Sequence, residues 1–260
     1  MDKERKEKTA RVQDAEADGI IEGRNAVIEA LRAGTTIDKI FIQKGEVDKT
    51  LGHIASKARA AGIVVVEADR RKLDGMSRTH AHQGVIALAA VREYVSVDDI
   101  LADAAAKNEP PLIVVCDEIS DPHNLGAIIR TAYCAGAHGV VIPKRRSVGL
   151  TATVAKASAG AMEYMKVARV SNINAAMQEL KDKGVWIYGT AAEGAIPMYK
   201  ADLKGPAAIV IGNEGVGMSQ LVRKNCDVIV SIPMAGRISS LNASAAASIL
   251  LYEAVRQRLG

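Results

Sequence analysis

Apolar positions recur along this chain in two rhythms, one helical and one of short unbroken runs, and the balance between them changes near residue 91. Residues 25–33 place Val27, Ile28 and Leu31 on one helical face, and Gly34 supplies a stop. Residues 37–43 read as a strand. Leu51, Ile54, Ala55 and Ala58 mark a second helical face ended by Ala61-Gly62, Ile63-Val-Val-Val66 is a β-branched strand, and residues 84–91 form another. The expectation is a compact αβαβ unit over residues 19–93, about 70 residues and large enough to stand alone. A short helix at 97–107 and Asn108-Glu-Pro-Pro111 then predict a stiff linker over residues 94–109.

Beyond it, residues 110–260 carry six apolar runs, at 112–116, 139–142, 165–170, 185–189, 207–211 and 228–232. Helical patterns separate nearly all of them (125–135, 151–160, 174–183, 218–224), and a last helix spans 241–259. Runs that are continuous rather than alternating belong to strands buried on both faces, so the fold class expected is α/β with a parallel sheet. Trp186 is expected in that core. Residues 1–18, almost all charged or small, bury too little to offset their ordering entropy and predict a disordered tail.

Composition narrows the picture further. A length of 260 residues suits two domains. With one Phe, one Trp and six Tyr, the core has to be aliphatic. No run approaches the ~18 apolar residues of a membrane span and no apolar signal segment opens the chain, so a cytoplasmic protein without membrane contact is expected. Cys116, Cys134 and Cys226 are widely spaced in apolar surroundings; with no CxxC or Cys/His cluster they predict core thiols and no metal. His80 and His82 lack a third ligand nearby and read as a partner-facing or structural loop, and His123 reads as a turn residue. The formal charge of +4 permits an acidic partner without requiring one. Arg70-Arg-Lys72, Lys144-Arg-Arg146 and Arg223-Lys224 fall in or beside predicted turns, and shared on one face they would form a footprint for nucleic acid.

Three loops carry the candidate chemistry: Asn124-Leu-Gly-Ala-Ile-Ile-Arg130, Ile211-Gly-Asn-Glu-Gly-Val-Gly217 and Ile232-Pro-Met-Ala-Gly-Arg-Ile-Ser-Ser-Leu-Asn242. Each follows an apolar run, where open α/β sheets bind ligands. The third leads into Ala243-Ser-Ala-Ala-Ala-Ser248, small enough for backbone or cofactor to approach closely. Neither G-x-G-x-x-G after the first strand of this half nor G-x-x-x-x-G-K-[ST] occurs, which excludes the common phosphate-cradling loops. A glycine loop holding Glu214 suits a ligand that donates hydrogen bonds or carries positive charge.

With their flanks, Asp121-Pro-His-Asn-Leu-Gly-Ala-Ile-Ile-Arg-Thr-Ala132, the 211–219 loop and the 231–244 segment resemble the three motifs of the SpoU (TrmH-type) RNA 2′-O-ribose methyltransferases. Ile20-Ile-Glu-Gly-Arg-Asn-Ala-Val-Ile-Glu-Ala-Leu31 and His82-Gln-Gly-Val85 are similar to that family's small RNA-binding domain, akin to a ribosomal protein fold. The resemblance covers about residues 20–258. It implies a catalytic domain whose C-terminal segment threads a trefoil knot, a feature that general topology rules disfavour. It also implies S-adenosylmethionine as cofactor, held at Gly212, Ile232 and Leu241 with Thr190, Ala191, Met234 and Ala243 as neighbours. Core packing is the competing reading for Ile232 and Leu241.

The implied reaction is in-line attack of a ribose 2′-hydroxyl on the sulfonium methyl, which asks the enzyme mainly for alignment and management of one proton. Arg130 matches the motif-one arginine. A guanidinium stays protonated at neutral pH, so a clamp on the adjoining phosphate is the reading here, with a surface ion pair as the plain alternative. Asn124 is expected to orient the ribose, to cap a helix, or both. Glu214 is expected to hold substrate or fix Arg130, or else to be a solvated turn residue. Ser240 and Asn242 are expected near the target nucleotide, with capping again the alternative. The partners implied are 23S ribosomal RNA or an assembling large ribosomal subunit, and a second copy in a homodimer whose cofactor Arg130 would serve. Guanosine in 23S rRNA is the leading target; a tRNA ribose methyltransferase and a non-catalytic RNA-binding assembly factor are the alternatives.

Overall fold

In a computed structural model, which describes residues 19–45, 48–192, 195–213, 215–236 and 240–260, the chain divides into two compact units. The first runs to Glu93 and takes in Leu150–Ala152; the second holds Tyr94–Gly149 and Thr153–Gly260. The tail expected at residues 1–18 and the role expected of Glu214 lie outside the described residues.

The first unit follows the order β1 (Ile20–Glu22), α1 (Arg24–Ala33), β2 (Ile37–Gln43), α2 (Lys49–Ala60), β3 (Val64–Ala68), α3 (Arg70–Met76) and β4 (Val85–Ala89). Its sheet has the order β1-β4-β2-β3, with β2 and β3 parallel and β4 antiparallel to both its neighbours. Alternation along the strands divides the core. Ile40, Ile42, Val85 and Ala87 pack with Val27, Ile54 and Ala58 of α1 and α2, whereas Phe41 and Ile86 pack with Leu73 of α3. Gly34 ends α1 in the left-handed region (φ 73°), as the sequence predicts.

Two elements escape the sequence pattern. β1 is only three residues long, and α3 buries a single side chain, Leu73. The cluster Arg70-Arg-Lys72 therefore lies not in a turn but in the first turn of α3, which Asp69 caps by accepting from the Lys72 amide at 2.8 Å.

The loop after α3 is braced by one carboxylate. Glu22 accepts from the Ser77 hydroxyl (2.5 Å), the Arg78 amide (2.7 Å) and the Thr79 hydroxyl (2.8 Å). His82 is structural: it is buried, its Nδ1 accepts from the Gly84 amide at 3.0 Å, and its Nε2–H therefore points at Asp74 Oδ1, 2.9 Å away. His80 is exposed with φ 56°.

The second unit contains α4 (Val97–Ala106), β5 (Leu112–Cys116), α5 (Pro122–Cys134), β6 (Gly139–Pro143), α6 (Ala152–Ala157), β7 (Val167–Val170), α7 (Ile173–Asp182), β8 (Trp186–Thr190), β9 (Ile196–Pro197), β10 (Ala207–Ile211), α8 (Gln220–Lys224), β11 (Val228–Ser231) and α9 (Ala243–Leu259). Its seven strands are all parallel, in the order β7-β6-β5-β10-β8-β11-β9. Strands β5 and β10 are buried at every residue, which is why they read as unbroken apolar runs. One face is covered by α4, α7 and α8 through Ile100, Met177, Leu180 and Val222. On α5 and α9, which pack together, Leu125, Ile128, Ile129, Leu250 and Leu251 are buried. Residues 94–109, expected as a linker, carry α4, whose Val97, Ile100 and Ala104 are buried, the first two in this unit's core.

Two expectations are corrected. Trp186 is 56% exposed although Val185 and Ile187 on either side of it are buried together in one core: successive side chains point to opposite faces, and the face Trp186 takes is covered only from Tyr188 onward. Cys134, the last residue of α5, is exposed rather than in the core; Cys116 is buried and Cys226 partly so.

Partial burial would raise the Glu22 pKa, but the hydrogen bonds from Ser77, Arg78 and Thr79 outweigh it and hold the carboxyl below its ordinary 4.5. Its bracing is therefore complete above pH 4.5 and is lost as the pH falls through the lower, folded-state value. Glu22→Gln should cost about 2 kcal/mol of local stability at neutral pH. It should be seen as faster amide exchange at Arg78 and Thr79, with the difference from the parent chain vanishing in acid.

Candidate functional site

Parallel strands deliver all their carboxyl ends to one edge of the sheet, and three of those ends build a pocket. Thr190 closes β8 with its hydroxyl donating to the Val210 carbonyl at 2.9 Å, and the Ala191 amide donates to the Val230 carbonyl at 3.0 Å. The exits of β8, β10 and β11 are thus stitched together before their turns diverge. The pocket between them measures about 340 Å³, within the range of small-molecule sites. Thr190, Ala191, Gly212, Ile232, Met234, Leu241 and Ala243 all line it, and so does Ser240.

The 212–217 turn closes on itself. Asn213 and Gly217 exchange backbone hydrogen bonds of 2.8 and 3.1 Å, and the Asn213 side-chain oxygen accepts from the Gly215 amide at 2.9 Å. A Cβ on Gly212 would lie 2.4 Å from both Gly217 C and Met218 N. Glycine is required there by the turn's own closure, not only by the approach of a ligand. The turn is also tied to the exit of β5: the Asn213 side-chain amide donates to the Glu118 carbonyl at 3.2 Å, and Asp117 Oδ2 accepts from the Ser219 amide at 2.7 Å.

The first and third loops meet through their asparagines. Asn242 caps α9, accepting from the Ser244 and Ala245 amides at 3.0 and 3.3 Å, while its Nδ2 donates to Asn124 Oδ1 at 2.8 Å. Asn124 itself is not a cap. Asp121 caps α5 by accepting from the His123 amide at 2.8 Å, Pro122 takes the first helical position, and Asn124 is buried inside the first turn. His123 accordingly belongs to that helical turn rather than to a loop. The small residues of α9 serve both neighbours: Ala243 and Ala246 face the pocket, and Ser248 meets Thr131 of α5 at 3.0 Å.

Arg130 stands apart. It is exposed, the ninth residue of α5 and so about 12 Å along the helix from its start. It does not line the pocket, and its side chain makes no hydrogen bond or ion pair with any described residue. Sequence reasoning did not single out Ala192, Ile211, Asn213, Gly215, Gly217, Val230 and Ala246 of the lining. Ala246 was within reach, lying one helical turn beyond Ala243.

The lining constrains the ligand. None of the described residues around the pocket is charged, so its described lining offers no ion pair to a phosphate. Burial pushes the Cys116 and Cys226 thiols up to about 12, leaving neither as a thiolate at neutral pH. No group of three or more His, Cys, Asp or Glu able to hold a metal ion occurs among the described residues.

Residues 111–252 match the SpoU rRNA Methylase family, and residues 20–95 match the RNA 2′-O ribose methyltransferase substrate-binding family. The chain belongs to the SpoU methyltransferase family. It is 47% identical over 236 residues to YacO of Bacillus subtilis (strain 168), which carries only a family-level name, TrmH family tRNA/rRNA methyltransferase; the match covers 91% of this chain and 94% of that one. It is 44% identical to the 23S rRNA (guanosine-2′-O-)-methyltransferase RlmB of Ralstonia nicotianae, again over 91% of this chain and 94% of the relative. Among solved structures, the SpoU methyltransferase AviRb of Streptomyces viridochromogenes in complex with AdoMet superposes with a TM-score of 0.59 at 27% identity, covering 92% of this chain and 90% of that one.

S-adenosylmethionine is the cofactor of this family, and the pocket suits it. Ile211, Ile232 and Leu241 offer apolar walls, the turns offer backbone amides and carbonyls, and the absence of Lys or Arg among the described lining residues leaves a sulfonium unopposed.

Gly212→Ala should force the turn open against backbone atoms. Such overpacking costs about 1–3 kcal/mol, so S-adenosylmethionine binding measured by calorimetry should weaken roughly tenfold or more.

Proposed function

We propose that this protein methylates the 2′-hydroxyl of a guanosine ribose in 23S ribosomal RNA, in the cytoplasm, and that it works as a homodimer. The observation that carries this reading is the junction of the three loops. A pocket with no charged residue among its described lining lies beside the Asn124–Asn242 hydrogen bond, with Ser240 on that lining. S-adenosylmethionine, when bound, supplies a methyl group already activated on sulfur. What remains for the chain is to place a ribose and manage one proton. Ser240 and Asn242 orient the sugar. Asn124 positions Asn242 through their shared hydrogen bond. Glu214, two residues after Gly212 in the sequence, acts on substrate or on Arg130.

Arg130 acts as a phosphate clamp. Its guanidinium stays protonated, so the proton leaving the ribose passes to a phosphate oxygen or water rather than to Arg130. Because Arg130 sits outside its own pocket and lacks a partner among the described residues, we assign it to the pocket of a second copy. The stacked pair Tyr133 and Tyr164, 5.5 Å apart and both exposed, gives that copy an aromatic surface beside Arg130 on α5. The first unit, matched to a substrate-binding family, would grip structured RNA. The path from β8 through β10, seated between β5 and β8, to α9, packed on β10 and α5, is the segment we assign to a trefoil knot.

The name of the Ralstonia relative supports ribosomal RNA, whereas the name of the Bacillus relative leaves tRNA open as a second reading. Deleting the gene and mapping ribose methylation on rRNA and tRNA decides between them. One guanosine of 23S rRNA should lose its 2′-O-methyl group. Loss confined to tRNA would replace the leading reading, and loss of none would remove the catalytic one.

The dimer assignment has its own test. Arg130→Ala should keep S-adenosylmethionine binding and lose nearly all methyl transfer, whereas Gly212→Ala, assayed with cofactor well below its raised Kd, should lose most of it through weakened binding. Mixing the two inactive variants should restore part of the activity, because a mixed dimer holds one pocket with both elements intact. No recovery on mixing would confine Arg130 to its own subunit.

A further inference from the structure

The turn after β6 carries Lys144, Arg145 and Arg146, and its position in the sheet gives that charge a use. Because β5, β6 and β10 are parallel and adjacent in the order β6-β5-β10, this turn emerges on the same edge as the Gly212 turn, two strand spacings away. That is about 10 Å.

The turn is held rather than loose. The Lys144 amide donates to the Val170 carbonyl at 2.8 Å, and the Lys144 carbonyl accepts from the Arg169 guanidinium at 3.3 Å. Arg169 in turn lies 5.4 Å from the centre of the Tyr94 ring. Buried Ser147 donates to the Ile119 carbonyl at 2.9 Å, which also accepts from the Val148 amide at 3.0 Å. Arg146 is fixed at φ 57°, a conformation side chains rarely adopt.

Within this frame the charges are available. Arg145 is exposed, and neither its guanidinium nor the Lys144 ammonium makes an ion pair with any described residue. Arg146, 78% exposed at its side chain, rests on Glu118 at 3.0 Å; that residue also has a left-handed backbone (φ 61°). The Glu118 carbonyl is the group that accepts from Asn213 of the pocket turn. A single residue thus touches both the basic turn and the cofactor turn. An ion pair this exposed is weak and readily exchanged for another anion.

We infer that Lys144-Arg145-Arg146 is a phosphate clamp for the RNA strand that carries the target ribose, and that Arg146 leaves Glu118 for a phosphate when RNA arrives. The inference rests on the RNA methyltransferase reading above and adds to it where the strand runs, from the pocket across the exits of β5 and β6. Arginines suit the task because the planar fork pairs with two phosphate oxygens at once.

The test uses the full chain and ribosomal RNA from a strain lacking the gene. In the variant Arg145→Ala/Arg146→Ala, S-adenosylmethionine affinity and thermal unfolding should match the parent. KM for RNA should rise about tenfold with kcat at saturating RNA unchanged, as expected for lost phosphate contacts. The slope of log binding constant against log salt should become shallower by about 1.4, or ~0.7 for each of two phosphates. Arg145→Gln/Arg146→Gln, which keeps the bulk, should behave alike if charge is what matters. Glu118→Gln should tighten RNA binding, a gain that disappears once Arg146 is Ala.

If the parent methylates this RNA while KM and salt slope are untouched in both double variants, the clamp is wrong and the methyltransferase reading stands. A fall in kcat with KM unchanged also overturns the clamp, since the turn would then act on alignment. A parent chain that methylates neither rRNA nor tRNA removes both.

Discussion

Residues 207–211 enter the sheet late in the chain yet sit at its centre, paired along their length with residues 112–116 on one side and 186–189 on the other. Backbone groups in such a strand have no access to water, so every ladder hydrogen bond has to be made, and the register is fixed by burial on both faces. That register places Gly212 level with the exits of β5 and β8. The Asp117 amide reaches the Ile211 carbonyl at 2.8 Å and Thr190 reaches Val210. The pocket is a consequence: with β8, β10 and β11 parallel and locked, their turns have only one edge on which to meet.

Rigidity then propagates from the sheet into the turns. Each loop is fastened to another loop rather than only to its own strand: Asn213 to Glu118, Ser219 to Asp117, Asn242 to Asn124, Ser147 to Ile119. Side chains held this way are positioned without a ligand, which lowers the entropy cost of binding one. The same fastening explains the glycine at 212. Its neighbour is the backbone of its own turn, so the residue shapes the pocket by letting the turn close.

Much of the layout is legible in the chain. Unbroken apolar runs announce buried parallel strands, Gly34 ends a helix where expected, and the seven residues expected around a cofactor converge on one cavity because three loops follow three neighbouring strands. Other features are set by distances along the chain that no local pattern encodes. The seat of β10 between β5 and β8 depends on contacts about 20 to 95 residues apart. Asn124 loses its expected capping role to Asp121 because Pro122 takes the first helical position, a competition visible only once the helix start is known. Trp186 is exposed because it lies on the opposite face from its buried neighbours Val185 and Ile187, at the end of the strand where that face is uncovered. β1 is too short to show a period, and α3 is too polar.

The placement of cations follows from the ligand. Two unit positive charges 4 Å apart repel by about 4 kcal/mol at an effective dielectric constant of 20, so an arginine on the wall of a sulfonium site would weaken the cofactor it serves. The described lining residues carry no charge, and Lys144, Arg145 and Arg146 emerge on the same edge two strands away. At two strand spacings, about 10 Å, these side chains can reach an anion at the rim while adding little repulsion inside the cavity.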